Sequence, residues 1–452
     1  MNNWRKVKLD TVADIKLSNV DKKTTEGEKP IRLCNYTDVY KYSFINREKS
    51  QDFMVATCND NEYEKFLLKK GQVAITKDSE KRNDIGIPTF IAEDFDDVVL
   101  GYHLALITPY PYKLDGAFLH FWLNTEYGKK YFENNASGSG QRLTLTLDII
   151  KSIPLYLPDL PTQKSIAKVL SDLDAKIELN NKINRELEAM AKTLYDYWFV
   201  QFDFPYSPPL EGCPQDGVGI GKPYKSSGGK MVYNAELKRE IPDGWEVKTL
   251  LNIATYTNGL ACQKYRPTNE EYLPVIKIRE MRDGFTEGTE KVKVNIPERL
   301  IVNNGDVLFS WSASLEVMIW TGGKGGLNQH IFKVTSKMYP RSFYYFQLIW
   351  YLQHFKMIAE LRKTTMGHIT QDHLKQSRIV VPPLDIVKDL DKKLKPIQEK
   401  QILISRQNQH LTTLRDWLLP MLMNGQVRVK EAEERLNMAA EPSVEYKTKI
   451  KV

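Results

Sequence analysis

Two carboxylates and a lysine stand in a spacing that a metal-dependent nuclease could use: Pro158-Asp159 followed by Asp174-Ala175-Lys176. Such a set can hold Mg²⁺ and an attacking water. Asp174 and Lys176, however, fall on the outward face of a heptad-patterned helix, where charges are expected in any case. In a second copy of that pattern the corresponding places are Pro383, Gln398 and Lys400, so the set is not preserved. Other chemistry is missing by motif. No Gly-x-x-x-x-Gly-Lys-Ser/Thr loop is present to cradle phosphates. Ser207-Pro208-Pro209 and Val381-Pro382-Pro383 lack the leading Asp or Asn of an amino-methyltransferase tetrapeptide, and no glycine-rich cofactor loop follows a strand. The 4 cysteines, Cys34, Cys58, Cys213 and Cys262, are far apart and form no CxxC pair, which reads as reduced thiols. His103 and His330 sit in β-rich surroundings without neighbouring ligands and read as core or loop histidines.

The remaining candidates are polar loop residues matched between two parts of the chain, and contact with DNA is what the family resemblance described below implies for them. Base reading needs donors and acceptors at a groove, and phosphate contacts need positive charge. One loop follows Val73 and carries Lys77, Lys81, Arg82 and Asn83; its counterpart is Ser310, Trp311 and Ser312. A second matched pair holds Gln141 and Arg142 on one side and Lys363, Thr364 and His368 on the other. These twelve residues are the expected DNA-binding set. The net charge of +7 permits a nucleic-acid partner without demanding one.

These loops are matched because the chain repeats itself. Trp4 to Leu9 corresponds to Trp245 to Leu250, and Pro30-Ile31-Arg32-Leu33 to Pro274-Val275-Ile276-Lys277. Lys70 to Thr76 corresponds to Asn304 to Ser310, His103 to His330, Arg142-Leu143-Thr144 to His368-Ile369-Thr370, and Lys151 to Pro158 to Lys375 to Pro382. The shared order makes chance an inadequate explanation. At 452 residues the chain has room for two domains with their own cores. Gly71 to Thr76 and Gly305 to Ser310 are expected as buried strands entered through tight turns, and 118–132 and 342–362 as aromatic-rich helices. Each half is therefore expected to be a globular α+β domain, over 1–158 and 241–382.

Each half ends in a heptad. In the first, Ile166, Leu170, Leu173, Ile177, Leu187, Ala191, Leu194 and Trp198, completed by Asn180 and Asn184, alternate at spacings of four and three. The second copies that register in Leu390, Leu394, Ile397, Gln401, Ile404, Asn408, Leu411, Arg415, Leu418 and Leu422. A sustained 4-3 pattern is the seam of a coiled coil. Leu173, Asn184, Leu187, Ile397, Asn408 and Leu411 are the diagnostic seam positions. Asn184 and Asn408 are equivalent, and a buried polar residue there can fix register. The helices are expected over 159–202 and 383–425. Pro396 is expected to kink the second helix or to lie near its start. A helix of about 35 residues is roughly 50 Å long, enough to hold two domains a DNA turn of about 34 Å apart or more.

Asp203 to Lys230 holds five prolines and six glycines, so 203–240 reads as a linker. The charged tail, 426–452, reads as a short helix with a frayed end. Met1 to Leu17 is polar and Phe343 to Leu352 is too short to span a bilayer, so a cytoplasmic, non-membrane protein is expected.

In these segments the chain resembles the specificity subunit of type I restriction-modification enzymes. Leu160 to Ala167 and Ile177 to Asn184 look like that family's central spacer helix, and Tyr197-Trp198-Phe199 like its aromatic end. Gly221 to Gly229 and Ile241 to Trp245 look like the approach to a second recognition domain, and Leu418 to Val427 like the last spacer's end. The second spacer departs at Pro382 to Val387, where the counterpart of Pro161 and Gln163 is missing. The resemblance implies two target recognition domains in pseudo-twofold repeat, joined by two antiparallel coiled-coil spacer helices. It implies a non-catalytic chain that reads an asymmetric, bipartite double-stranded DNA target. It also implies docking of two methyltransferase subunits and of motor-nuclease subunits, with S-adenosylmethionine, ATP and Mg²⁺ belonging to those partners and no cofactor bound by this chain. The competing readings are a specificity chain with its own nuclease or methyltransferase activity, and a coiled-coil protein scaffold.

Overall fold

The computed structural model describes residues 4–138, 142–205, 221–268, 270–361 and 368–440. The chain folds into two compact units, Met1–Ile177 with His410–Val452, and Glu178–Gln409.

The first unit is built on a five-stranded sheet whose order is Ala13–Leu17, Leu104–Pro109, Val73–Thr76, Pro88–Ile91 and Phe44–Ile45. A second sheet sets Lys29–Cys34 between Met54–Cys58, antiparallel, and Val98–Leu100, parallel. The strand Val73–Thr76 is buried throughout, as a continuous apolar run flanked on both sides should be. Gly71 precedes it at φ +90°, a conformation that favours glycine. The aromatic stretch expected as one helix is two, Gly116–Asn124 and Glu126–Asn135. Thr125 divides them because its hydroxyl caps the second helix, accepting from Gly128 N at 3.2 Å. The unit is closed by the antiparallel pair Arg5–Lys8 and Pro154–Leu157.

The second unit repeats this plan. Its sheets run Thr255–Asn258, Ile331–Thr335, Val307–Ser310, Glu316–Ile319, and Lys291–Lys293, Tyr272–Ile276, Gly325–Leu327, Ile301–Val302. Again one strand of the second sheet, Tyr272–Ile276, takes an antiparallel neighbour on one side and a parallel one on the other. Val307–Ser310 is fully buried and follows Gly305 at φ +94°. Glu246–Thr249 closes on Arg378–Val381 as Arg5–Lys8 closes on Pro154–Leu157, which accounts for the first and last sequence matches together. The helix Arg341–Leu361 lies where aromatic periodicity placed it.

The long helices are Leu160–Tyr195 and Leu384–Met423. The first opens on Asp159, whose carboxylate accepts from Thr162 N at 2.9 Å; it ends in a π-helical turn, Asp196–Val200, carrying Trp198 and Phe199 into the second unit's core. The second begins at Leu384, well before Pro396, which lies in its interior rather than near its start. Pro396 is exposed, so the carbonyl its missing N–H would have met can turn to water.

In the first unit Ile166, Leu170 and Leu173 share a buried core with Leu411, Leu418 and Leu422, and Asp174 takes Arg415 Nη1 at 3.0 Å. In the second, Asn180 donates to Asn408 Oδ1 at 2.8 Å and Asn184 to Ser405 Oγ at 3.0 Å. In the second unit partner numbers fall on one helix as they rise on the other, so the pairing there is antiparallel. Asn184 and Asn408 are equivalent but not partners: Asn184 meets Ser405 and Asn408 donates to Asn181 at 2.7 Å. Those two pairs are the same pair seen from the two repeats. Leu187 and Ile397 are half-buried, against full burial of Leu173 and Leu411. Past Gln426 the chain turns into the helix Val429–Ala440, whose Ala432 and Ala439 pack on the first unit's core.

His120 is buried in the first unit, and burial pushes its pKa down to about 4. The unfolded chain, near 6.5, binds the proton first. Stability is thus fully present above about pH 6.5 and is lost as pH falls toward 4, by about 2–3 kcal/mol between pH 7 and 4.5. Denaturant midpoints of the wild type and His120→Leu should diverge in that window, the variant being flatter. Parallel pH profiles would disprove the assignment.

Candidate DNA-reading site

The residue after the buried strand is held identically in both units. Lys77 N donates to His103 O at 3.0 Å, and Leu145 N donates to Lys77 O at 2.7 Å; Trp311 N donates to His330 O at 3.3 Å, and Ile369 N to Trp311 O at 2.9 Å. Three separate stretches are thereby brought together in each unit: the loop after the strand, the turn bearing the histidine, and the segment before the last helix and strand. The matched histidines, read from sequence as core or loop residues, are members of the candidate site. Their correspondence in the repeat was the available signal.

On this common frame the side chains differ. In the first unit Asp78 Oδ2 meets His103 Nδ1 at 2.5 Å and Lys77 Nζ at 3.1 Å. Burial alone would raise the Asp78 pKa, but hydrogen bonds from Thr144, His103 and Lys77 outweigh it and hold the carboxyl below its ordinary value. His103, at φ +67°, packs on Tyr102 with ring centroids 4.0 Å apart. Arg142 Nη2 is 3.1 Å from both ring nitrogens of His103, so the guanidinium lies against the imidazole, and Arg142 is exposed. The result is a cationic cluster around one buried carboxylate, with charged donors at its outer edge.

In the second unit the cluster is aromatic. Trp311 Nε1 donates to Asn258 Oδ1 at 3.1 Å, and its ring lies 5.5 Å from His330, 5.7 Å from His368 and 5.8 Å from Phe332. His368 is exposed. This surface offers ring faces and edges in place of formal charge.

Several expected site residues have other tasks. Ser310 and Ser312 are buried, and the Ser310 hydroxyl donates to Ser314 O while accepting from Glu316 N at 3.0 Å. They shape the turn, with Ala313 at φ +59°, and do not face a groove. Arg82 Nη1 donates to Glu133 O and Ala136 O, both at 3.1 Å, at the end of the helix Glu126–Asn135, where carbonyls lack helical partners and the dipole favours a cation. Through Nη1 the fork ties the loop to that helix end, while Arg82 itself is exposed. Lys81 and Asn83 are exposed on the same loop. Gln141, Lys363 and Thr364 lie outside the described residues. Asp159 and Asp174, the suspected metal carboxylates, are a helix cap and an ion-pair partner, and among the described residues no group of three or more His, Cys, Asp or Glu could hold a metal ion.

A family model described as the type I restriction modification DNA specificity domain matches residues 1–189 and 242–413. The chain belongs to this family. The two matches coincide with the two repeats, each carried into its long helix. The HindI specificity subunit of a type I restriction enzyme from Haemophilus influenzae is 25% identical over 94% of this chain and 100% of its own length. The MjaIX specificity subunit from Methanocaldococcus jannaschii is 25% identical over 70% of this chain and 69% of its own. The fold is shared with the S subunit of a type I restriction-modification system from M. genitalium, with a TM-score of 0.55 and 13% identity, covering 93% of this chain and 96% of that one. Among the described residues no helix is long and apolar enough to cross a membrane.

Proposed function

We propose that this chain reads an asymmetric, two-part sequence in double-stranded DNA, one part with each unit, and so directs a type I restriction-modification assembly. The observation that carries this is the conserved hydrogen-bond frame around Lys77 and Trp311 bearing unlike side chains. One scaffold used twice with different donors reads two different half-sites, whereas identical halves would favour a palindrome. Two methyltransferase subunits and motor-nuclease subunits would supply S-adenosylmethionine, ATP and Mg²⁺ chemistry. The chain itself supplies recognition, and its cytoplasmic placement follows from that role.

Arg142 carries the test, because it is exposed and held by ring contact rather than by a carboxylate of its own. Arg142→Ala should weaken binding to the cognate duplex by about 1–3 kcal/mol if it pairs with a guanine edge, with relaxed discrimination at one position. If it meets a phosphate, the loss is uniform across sequences and the salt slope falls by about one. Mobility-shift titrations at two salt concentrations separate the two. Unchanged affinity and slope would remove this cluster from the interface.

A further inference from the structure

Away from the loops around Lys77 and Trp311, the second unit holds a half-buried cation that no carboxylate neutralises among the described residues. Arg239 lies on the second strand of the hairpin formed by Met231–Asn234 and Arg239–Pro242. Its guanidinium rests 5.1 Å from the centroid of the Phe202 ring, and among the described residues no carboxylate pairs with it. Burial pushes its pKa down, with no opposing charge to restore it. Its neighbour Arg378, by contrast, is paired with Glu236. A desolvated charge without a counter-ion is costly and is retained where something else completes it.

Arg239 lines a cleft of about 160 Å³ together with Tyr195, Phe199, Leu237, Trp350 and Arg378. Tyr195 is 2% exposed and backs the cleft with its ring, its hydroxyl being buried beside Gln347, whose amide also donates to Val380 O at 3.3 Å. The half-buried guanidinium of Arg239 is thus the donor that this small slot offers to an incoming group. Trp350, 45% exposed, stands at this cleft and at a second apolar groove with Tyr195, Phe346, Ile349 and Met357. An unpaired guanidinium demands an acceptor, and it matches a carboxylate with two parallel hydrogen bonds.

We infer that this cleft is a docking site for a carboxylate side chain, presented by an acidic segment of a partner protein with apolar residues on either side. The walls favour protein over DNA. A phosphodiester stays hydrated and is met on open basic surface, whereas this slot has the size of one side chain. Exposed Trp with buried Tyr and Arg is also the composition of interface anchors. The inference is independent of which loops read DNA.

The full chain carrying 5-fluorotryptophan provides a local probe, with the Trp350 resonance assigned through Trp350→Phe. Acetyl-Leu-Glu-Leu-amide should shift that resonance saturably and bind about tenfold more tightly than acetyl-Leu-Gln-Leu-amide. Arg239→Gln should abolish the difference, and Arg239→Lys should restore part of it. If Arg239→Gln disturbs the remaining fluorotryptophan signals, Arg239→Lys, which keeps the charge but not the two-pronged geometry, should still weaken the Glu peptide several-fold. No shift, equal affinity for the two peptides, or indifference to both Arg239→Gln and Arg239→Lys overturns the inference. So does a stronger response of the same resonance to a short oligothymidylate, which would make the slot a phosphate site.

Discussion

Replacing residues 1–158 with the same span of a relative that reads another site will change one half of the methylated motif and leave the other half intact. The cut follows the structure. Leu157 pairs with Arg5, so closure of the unit is complete at Pro158, and Asp159 begins the helix as its cap. Across the cut, Gln163 is 1% exposed and fully engaged: it accepts from Asp115 N at 3.0 Å and donates to Lys113 O at 3.2 Å and Pro158 O at 3.0 Å. All three partners are backbone groups. A domain of the same fold presents them whatever its side chains, so the joint tolerates exchange for a domain that keeps the apolar positions packed on Ile166, Leu170 and Leu173. Each mismatched base pair costs about 1–3 kcal/mol, and loss of a half-site of several pairs should depress use of the old motif by about a thousandfold or more. Mapping methylated bases in cells that carry the chimaera with its methyltransferase gives the answer. Change in both halves, or in neither, would refute the modular reading.

The repeat was legible because its signals are local. Strand burial shows as an apolar run, the turn before it as a glycine, and the seam as a period, all within a few residues. What escaped the sequence depends on distant partners. That Arg82 Nη1 meets the end of the helix Glu126–Asn135 depends on residues about fifty positions away. Ser310 looks like a groove donor until Ser314 and Glu316 claim its hydroxyl. His103 gave only its correspondence with His330; its contact with Asp78 spans 25 residues, and no periodicity predicts it. Of the two expectations for Pro396, a helix start there gives way: propensity places proline in a first turn, but the helix begins at Leu384, and packing of Leu390 and Leu394 into the second unit's core outweighs one missing hydrogen bond on an exposed face.

Seam positions alike in sequence should differ sharply in consequence. Leu173→Ala empties a fully buried site in the core shared by Leu170 and Leu411, and should cost the first unit about 2–5 kcal/mol. Leu187→Ala removes a half-buried side chain and should cost the second unit roughly 1 kcal/mol. Asn180→Ala is a third case. Asn180 is 2% exposed and donates to both Gln407 Oε1 at 2.9 Å and Asn408 Oδ1 at 2.8 Å. Taking those donors away should cost about 1–3 kcal/mol, whereas an apolar replacement of the whole polar layer could be neutral in stability while loosening register. Because the chain has two units, a single unfolding midpoint would blur these effects. Hydrogen exchange resolved by peptide separates them: Leu173→Ala should accelerate exchange in the helix Gly116–Asn124 and the strand Val73–Thr76, and Asn180→Ala in the helix 384–409. Equal acceleration in both units from either variant would mean that the seam is one cooperative element, and the assignment of its apolar half to one core and its polar half to the other would have to be abandoned.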